Sequence, residues 1–468
     1  MSRQICPDKY DFIMITRHFI DVRKDSNSRR VHYRKAGKGP PLLMVHQSPR
    51  SSKEYEPLME QWAEHFTCIA PDTAGFGQSE RLPGNPEINE YADSVVDFLD
   101  AIGIGKCAAY GFHSGGIILV TAAKRHPNRI TSLAVGGYAI WTEAEKNLFG
   151  DRYLPDFHPS TYGEHLTWLW NRVLEQSWFF PWFAADDDHR LSLSNDSPER
   201  VDAVVQEMLD AGHAYQAGYG AVLRASRDIP VDNTVAPPCL ISAYDGDPLQ
   251  DHIDRLGRMP SNWAAQKVRT PEDHQAVSIA HLTKFETPAC GSLAETADEG
   301  FIKIKTTGFD GLIHWRGSKS ASRLILHAPG YAASDAPAKE TVAIDLPGHG
   351  ISDGWPAEPP QNWADWQDVI DAVALALGTT TTVFPDLPAG DAGRLYPDLS
   401  PDRFGNYLGM AWQIVRARHI FAPWYSADPA HEIKFDPAVL EPENLAVEHR
   451  ALINAPAARH YHLALQSK

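Results

Sequence analysis

The sequence predicts an α/β protein: a mostly parallel sheet with helices on both sides and a helical cap, followed by a second, incomplete stretch of the same kind. Three observations predict it. Short β-branched or apolar runs alternate with segments of helical period from the start of the chain. About 95 residues of helical, aromatic-rich sequence interrupt that alternation after Gly136. Early strand sequences then recur after residue 300.

Taken in order, strands are expected at residues 30–34 (RVHYR), 42–46 (LLMVH), 68–72 (CIAPD) and 107–112 (CAAYGF). Between the last two, residues 87–103 place Tyr91, Val95, Phe98, Leu99 and Ile102 on one helical face, and Gly103 supplies a stop. Strands resume at 130–136 (ITSLAVG), 238–245 (PCLISAYD) and 263–268 (WAAQKV). The helical insertion, at about 142–230, reads as a cap over one end of the sheet. The first domain is therefore set at 1–290, and the small, polar run at 291–300 reads as a linker.

Residues 301–468 read as a degenerate second copy. IHWRG at 313–317 echoes VHYRK at 31–35, LILHAPG at 324–330 echoes LMVHQSP at 43–49, and IDLPGHGISD at 344–353 echoes PDTAGFGQSE at 71–80. Within the cap, residues 155–191 align without gaps on 397–433 at a constant offset of 242, with 13 identities in 37 positions. Chance would give roughly two or three. After its fifth strand, TTVFPD at 381–386, this copy passes straight to cap-like sequence with no glycine-rich turn, and it ends without counterparts of the strands at 238 and 263. A complete site of the first copy's kind cannot form there, and its uncovered sheet calls for a sizeable interdomain interface or a homodimer.

Composition narrows the partners. Forty-three basic against 60 acidic residues give a net charge of −17, which repels nucleic acid and anionic membrane surfaces. The five cysteines, Cys6, Cys68, Cys107, Cys239 and Cys290, are odd in number, scattered and without a CxxC pair, so a reducing cytoplasm is expected rather than a disulfide framework or a zinc site. No leader-like amino terminus and no run of about 18 apolar residues is found. Dinucleotide, phosphate-loop and zinc-helix motifs are absent, so no cofactor and no metal are expected. The run Asp186-Asp187-Asp188-His189 reads as a solvated turn.

The chemistry centres on residues 108–120 (AAYGFHSGGIILV), a strand, a sharp turn and a helix. With the strand ending His46-Gln47-Ser48-Pro49, the turn Asp72-Thr-Ala-Gly-Phe-Gly-Gln-Ser79 and the strand ending Tyr244-Asp-Gly-Asp247, this segment resembles the α/β-hydrolase superfamily over about residues 28–286. The turn departs from the family's pattern. Its small-x-nucleophile-x-small spacing reads Gly111-Phe112-His113-Ser114-Gly115, which puts His113 at the apex, whereas chemistry favours Ser114. With Ser114 as nucleophile, the backbone N–H of the next residue and that of Gln47 would form the oxyanion hole. With His113 at the apex, the imidazole is a general base or a nucleophile, and the Ser114 N–H becomes an oxyanion donor.

The resemblance implies that Asp247 orients the catalytic histidine, with Asp245 as fallback. The family's histidine loop looks deleted: Val268 is followed almost at once by Arg-Thr-Pro-Glu-Asp-His274 and a helical run. His274 is the remaining candidate base, and His252 a poorer one. His46, Trp141, Trp178 and Trp182 are candidates to line the substrate pocket. Residues shared by both copies, such as His32, His46 and Asp72, are expected to hold strands rather than react.

The resemblance implies a cofactor-independent enzyme hydrolysing an ester or related acyl bond of a small, largely apolar or aromatic molecule. The elbow histidine keeps open a lyase or cofactor-free oxygenase with His113 as base. The incomplete triad keeps open a noncatalytic binding or scaffold protein.

Overall fold

The computed structural model of the chain describes residues 14–24, 27–192, 197–226, 229–230, 235–296, 298–333 and 340–468. Cys6 and Ala297 of the expected linker lie outside the described residues. The chain divides into two compact units, one formed by residues 1–155 and 213–295, the other by 156–212 and 296–468. The division is not the linear one at 291–300, because the middle of the expected cap groups with the second half.

The first unit is built on eight strands: β1 (Thr16–Lys24), β2 (Asn27–Ala36), β3 (Pro41–Val45), β4 (Thr67–Pro71), β5 (Cys107–Phe112), β6 (Ile130–Gly136), β7 (Cys239–Tyr244) and β8 (Trp263–Val268). Their order across the sheet is β1-β2-β4-β3-β5-β6-β7-β8. The β1/β2 and β2/β4 pairs are antiparallel, and every pair from β4/β3 to β7/β8 is parallel. β3 and β4 are buried along their whole length, as parallel strands covered on both faces must be. The unit's helices are α1 (Glu56–Trp62), α2 (Ile88–Ala101), α3 (Ser114–Arg125), α4 (Glu143–Phe149), α7 (Ala214–Arg224) and α8 (Pro271–Leu282). A capping box between Glu87 and Glu90 starts α2, Gly103 at φ +83° follows its end, and Tyr91, Val95, Phe98 and Leu99 face the core. Each such side chain contributes about 1.5–3 kcal/mol by leaving water. β1 was not expected. Charged residues flank its short buried set of Phe19, Ile20 and Val22 and hide the period of two.

The second unit contains α5 (Glu164–Gln176), α6 (Pro198–Ala211), β9 (Glu299–Lys305), β10 (Asp310–Gly317), β11 (Arg323–Leu326), β12 (Thr341–Ile344), α9 (Trp363–Leu377), β13 (Thr381–Val383), α10 (Ala392–Leu395), α11 (Asn406–Arg418), α12 (Pro442–Ile453) and α13 (Ala458–Gln466). Its sheet runs β13-β11-β12-β10-β9, antiparallel at β10/β12 and β10/β9 and parallel at β11/β12 and β11/β13. That order and polarity match β5-β3-β4-β2-β1 of the first sheet.

Local networks match as well. In the first unit His32 Nδ1 lies 2.9 Å from Asp72 Oδ2, which also accepts from the Gln78 N–H, while His46 Nε2 accepts from the Thr73 N–H. In the second, His314 Nδ1 lies 2.9 Å from Asp345 Oδ2, which accepts from the Ile351 N–H, and His327 Nε2 accepts from the Leu346 N–H. The aspartates are buried, and their histidine neighbours hold both carboxyls well below the usual carboxylate range against the opposing cost of burial.

Inside the second unit, the two aligned segments face each other with reciprocal contacts. The Trp170 Nε1–H donates to the Arg403 carbonyl at 3.3 Å, and the Trp412 Nε1–H donates to the Thr161 carbonyl at 3.3 Å. The Trp170 ring packs where a Cβ on Gly405 would stand, and the Trp412 ring does so at Gly163. Tyr407 meets Trp170 edge-on, as His165 meets Trp412. Each partner of one contact is 242 residues from its counterpart in the other.

Candidate functional site

β5 ends at Phe112 and α3 begins at Ser114, leaving one residue to make the turn. His113 makes it at φ +47°, ψ −113°, and among the described residues it is the only non-glycine with positive φ. Such a conformation costs on the order of 1–3 kcal/mol and persists where the surroundings enforce it. Here they do. A Cβ on Gly111 would stand 2.6 Å from the Gly115 carbonyl carbon, and one on Gly115 only 1.9 Å from the Val45 carbonyl oxygen. The two glycines let strand, turn and helix close together, and the His113 N–H is held by the Gly136 carbonyl at 2.7 Å.

His113 Nε2 lies 3.1 Å from Asp247 Oδ1. Asp247 sits in the turn after β7, its carboxylate fully buried, and Oδ1 also accepts from the Leu249 N–H at 2.8 Å. Burial opposes ionisation of this carboxyl, but the attraction and hydrogen bond of His113 prevail and hold it below the ordinary carboxylate value. An ionised Asp247 accepts the proton of Nε2 and leaves the lone pair on Nδ1. Nδ1 has no hydrogen-bond partner among the described residues, and the imidazole is 23% exposed. The ring is stacked on Phe112, centroids 4.2 Å apart at 18°, and Phe112 is itself stacked on Tyr244 at 6.2 Å. Asp245 is exposed and takes the Gln250 amide instead.

Gly137 is a third requirement that sequence reasoning passed over. It stands at φ +57°, and a Cβ there would lie 2.5 Å from the His113 ring and 2.9 Å from Asp247 Oδ2. The signal available was the glycine pair that closes β6.

Several expected site residues are placed elsewhere. Ser114 is the first residue of α3, 4% exposed, and its Oγ accepts from the Ser48 N–H at 2.5 Å, so it is not the apex. The Gln47 N–H, expected as an oxyanion donor, donates to Glu54 Oε1 at 2.7 Å, and the Gln47 amide donates to Glu54 Oε2. A carboxylate is the stronger acceptor and claims the donor. His46 is buried, donating from Nδ1 to the Gln47 carbonyl and accepting at Nε2 from Thr73, which fixes two loops and leaves neither nitrogen for a substrate.

His274 is not solvated in a surface turn. It is 2% exposed, with Nε2 2.9 Å from the Tyr110 hydroxyl and Nδ1 2.8 Å from Ser242 Oγ. Neither nitrogen meets His113, Ser114 or Asp247, because the first turn of α8 faces the sheet. His252 accepts from the Ile140 N–H at Nδ1. Trp141 packs edge-on to Phe149 and His252. Trp178 and Trp182 belong to the second unit, the former beneath the Arg403 guanidinium and the latter against Trp168 and Phe183.

Burial lowers His274 to about 4. The unfolded chain therefore binds a proton at this residue from about pH 6.5 downward while the folded chain does not, so the stability it confers is complete above 6.5 and is lost as pH falls towards 4. Urea unfolding at pH 7.5 and 4.5 should differ by about 2.5 kcal/mol from this residue. His274→Gln should flatten the curve between those values, and an unchanged slope would reject the assignment.

Among the described residues no group of three or more His, Cys, Asp or Glu side chains could hold a metal ion, and no helix is long and apolar enough to cross a membrane. Asp186 caps a helical turn, accepting from the His189 N–H and lying 2.6 Å from His189 Nδ1.

The profile described as alpha/beta hydrolase fold matches residues 40–274. Haloalkane dehalogenase 2 of Mycobacterium tuberculosis is 32% identical over 142 residues, which is 30% of this chain and 48% of that protein. The 2-(acetamidomethylene)succinate hydrolase of Mesorhizobium japonicum is 31% identical over 128 residues, 27% of this chain and 46% of that protein. The chain thus spans about half the length of the curated relatives it matches. Among solved structures, epoxide hydrolase A of Mycobacterium thermoresistibile is 16% identical with a TM-score of 0.44, over 58% of this chain and 100% of that one.

Proposed function

Since the chain belongs to the alpha/beta hydrolase fold family, we propose that it is a cofactor-independent hydrolase of an ester or related acyl bond in a small, largely apolar or aromatic molecule, with His113 and Asp247 activating the attacking water. The observation that carries this reading is an imidazole at the elbow apex, held at Nε2 by a buried carboxylate with Nδ1 unengaged. Nδ1 takes a proton from water as the water oxygen bonds to the acyl carbon, and the carbonyl electron pair moves onto its oxygen. The N–H groups of the first turn of α3 lie at the positive end of the helix and stabilise that oxyanion. The oxyanion then collapses, the alkoxide leaves, and Nδ1 returns the proton to it. Water and ester become acid and alcohol, with no acyl-enzyme.

A panel of small aryl esters, read by product release, tests the reading together with fluorophosphonate labelling mapped by peptide mass. Turnover without a stoichiometric adduct on Ser114 supports water activation. An adduct on Ser114 rejects it in favour of a serine nucleophile, and ligand binding without turnover would return the noncatalytic reading.

A second reading, a lyase or cofactor-free oxygenase, draws on the same apex. Ser114 Oγ is engaged by Ser48, so the elbow presents a base without a hydroxyl nucleophile, and Nδ1 could remove a substrate C–H proton instead. Deuterium exchange into a substrate analogue without ester turnover would favour it.

The second unit reads as a truncated duplicate whose cap-like segment pairs with the cap of the first copy. The matching strand order, the recurring His–Asp networks and the reciprocal indole contacts support this. Its β13 is an outer strand where the first sheet continues to β6, which supports a homodimer formed along that edge. Native mass spectrometry at low micromolar concentration is expected to return the dimer, and a monomer would remove that reading. Free thiols at Cys68, Cys107, Cys239 and Cys290 fit a cytoplasmic protein.

A further inference from the structure

Among the described residues of the second unit no strand–turn–helix elbow is found, yet a cluster of buried polar groups lies beyond the carboxyl end of β11. Arg418, at the end of α11, is 8% exposed, and its Nε and Nη2 make no hydrogen bond. These two nitrogens form one edge of the guanidinium, the edge that takes both oxygens of a carboxylate. Glu448 Oε2, itself buried without a hydrogen bond, stands 3.7 Å from Nε and offsets charge without consuming the donor, and the other Glu448 oxygen is 2.7 Å from His419 Nε2. The Tyr331 ring lies 4.4 Å beneath the guanidinium.

Tyr331 follows Gly330, where a Cβ would stand 3.1 Å from the Tyr396 ring and 3.2 Å from Leu452. The Tyr396 hydroxyl is buried without a partner. Burial holds this phenol well above its ordinary value, so it keeps its proton and donates. His462, 5.5 Å from Tyr396 between ring centroids, is fully buried with neither nitrogen bonded. A cleft of about 430 Å³ opens on the Tyr396 side of this cluster, lined by Tyr396, Leu452 and Arg459 among others.

We propose that Arg418, Tyr396 and His462 form a binding site for a small organic carboxylate in the second unit, separate from the elbow. Three features carry it: buried donors that no acceptor reaches at hydrogen-bond distance, the paired geometry of the guanidinium edge, and a position beyond the carboxyl end of β11, on the side of a sheet where open α/β folds take their ligands. A carboxylate receives two hydrogen bonds from Arg418 and one from Tyr396, and its apolar part lies against Leu452.

The test is isothermal titration of the full chain with sodium benzoate and sodium acetate, with sodium phosphate as comparator. One equivalent of benzoate should bind saturably, at least tenfold more weakly in Arg418→Met and in Tyr396→Phe, and unchanged in His113→Ala. Tyr396→Phe removes one oxygen and keeps the ring, so it serves if the arginine variant does not fold. No saturable binding would overturn the proposal and mean that Arg418 and Glu448 close on each other. Binding retained in both variants, lost in His113→Ala, or as tight for phosphate would overturn it too.

Discussion

His113→Ala should lower kcat/KM on any aryl ester the chain turns over by about 10³-fold, the contribution of a positioned general base, with the circular dichroism spectrum unchanged. Ser114→Ala should change it by less than about tenfold, because Ser114 Oγ is a buried acceptor for the Ser48 N–H and not the apex group. Asp247→Asn separates orientation from charge: it keeps the shape, yet its amide nitrogen can offer Nε2 a donor and invert the tautomer, so kcat should fall much further than KM rises. Equal losses in the two serine and histidine variants would mean that both residues act in one acyl-transfer unit and would remove water activation.

Gly115→Ala is expected to lower stability by about 3 kcal/mol or more, read as a shift of the urea midpoint. Its new methyl would stand 1.9 Å from the Val45 carbonyl oxygen and 2.7 Å from that of His46, both backbone atoms of a buried strand end that cannot step aside. Gly105→Ala is the control, since nothing lies within 4 Å of its Cβ position, and it should leave the midpoint where it was. Similar midpoints for the two would show that α3 can retreat from β3, and the close approach would then not be what confines the apex to one residue.

Much of this arrangement was legible locally. β5 and β6 occupy the expected residues because continuous apolar runs bounded by turn residues define a buried parallel strand, whereas β8, also where expected, is an outer strand that buries only Trp263. The apex was legible because the spacing of Gly111 and Gly115 is a steric statement, and Asp247 because it lies just past a strand end. The residues that misled did so through contacts far off in sequence or direction. Glu54 captures the Gln47 N–H by the way the chain folds back after β3, and His274 is buried because α8 turns its first turn inward. Neither choice is written in the flanking residues. The division of the chain was hidden for the same reason, since residues 156–212 group with partners more than 200 positions away.

The reciprocal indole contacts have a consequence in mass action. Two separate chains that met through such a pair of surfaces would do so only above their dissociation constant, and dilution would part them. Here Trp170 and Trp412 are covalently tethered, so their pairing is a first-order event governed by an effective concentration that the solution does not set. The contact survives at any protein level, however scarce the chain.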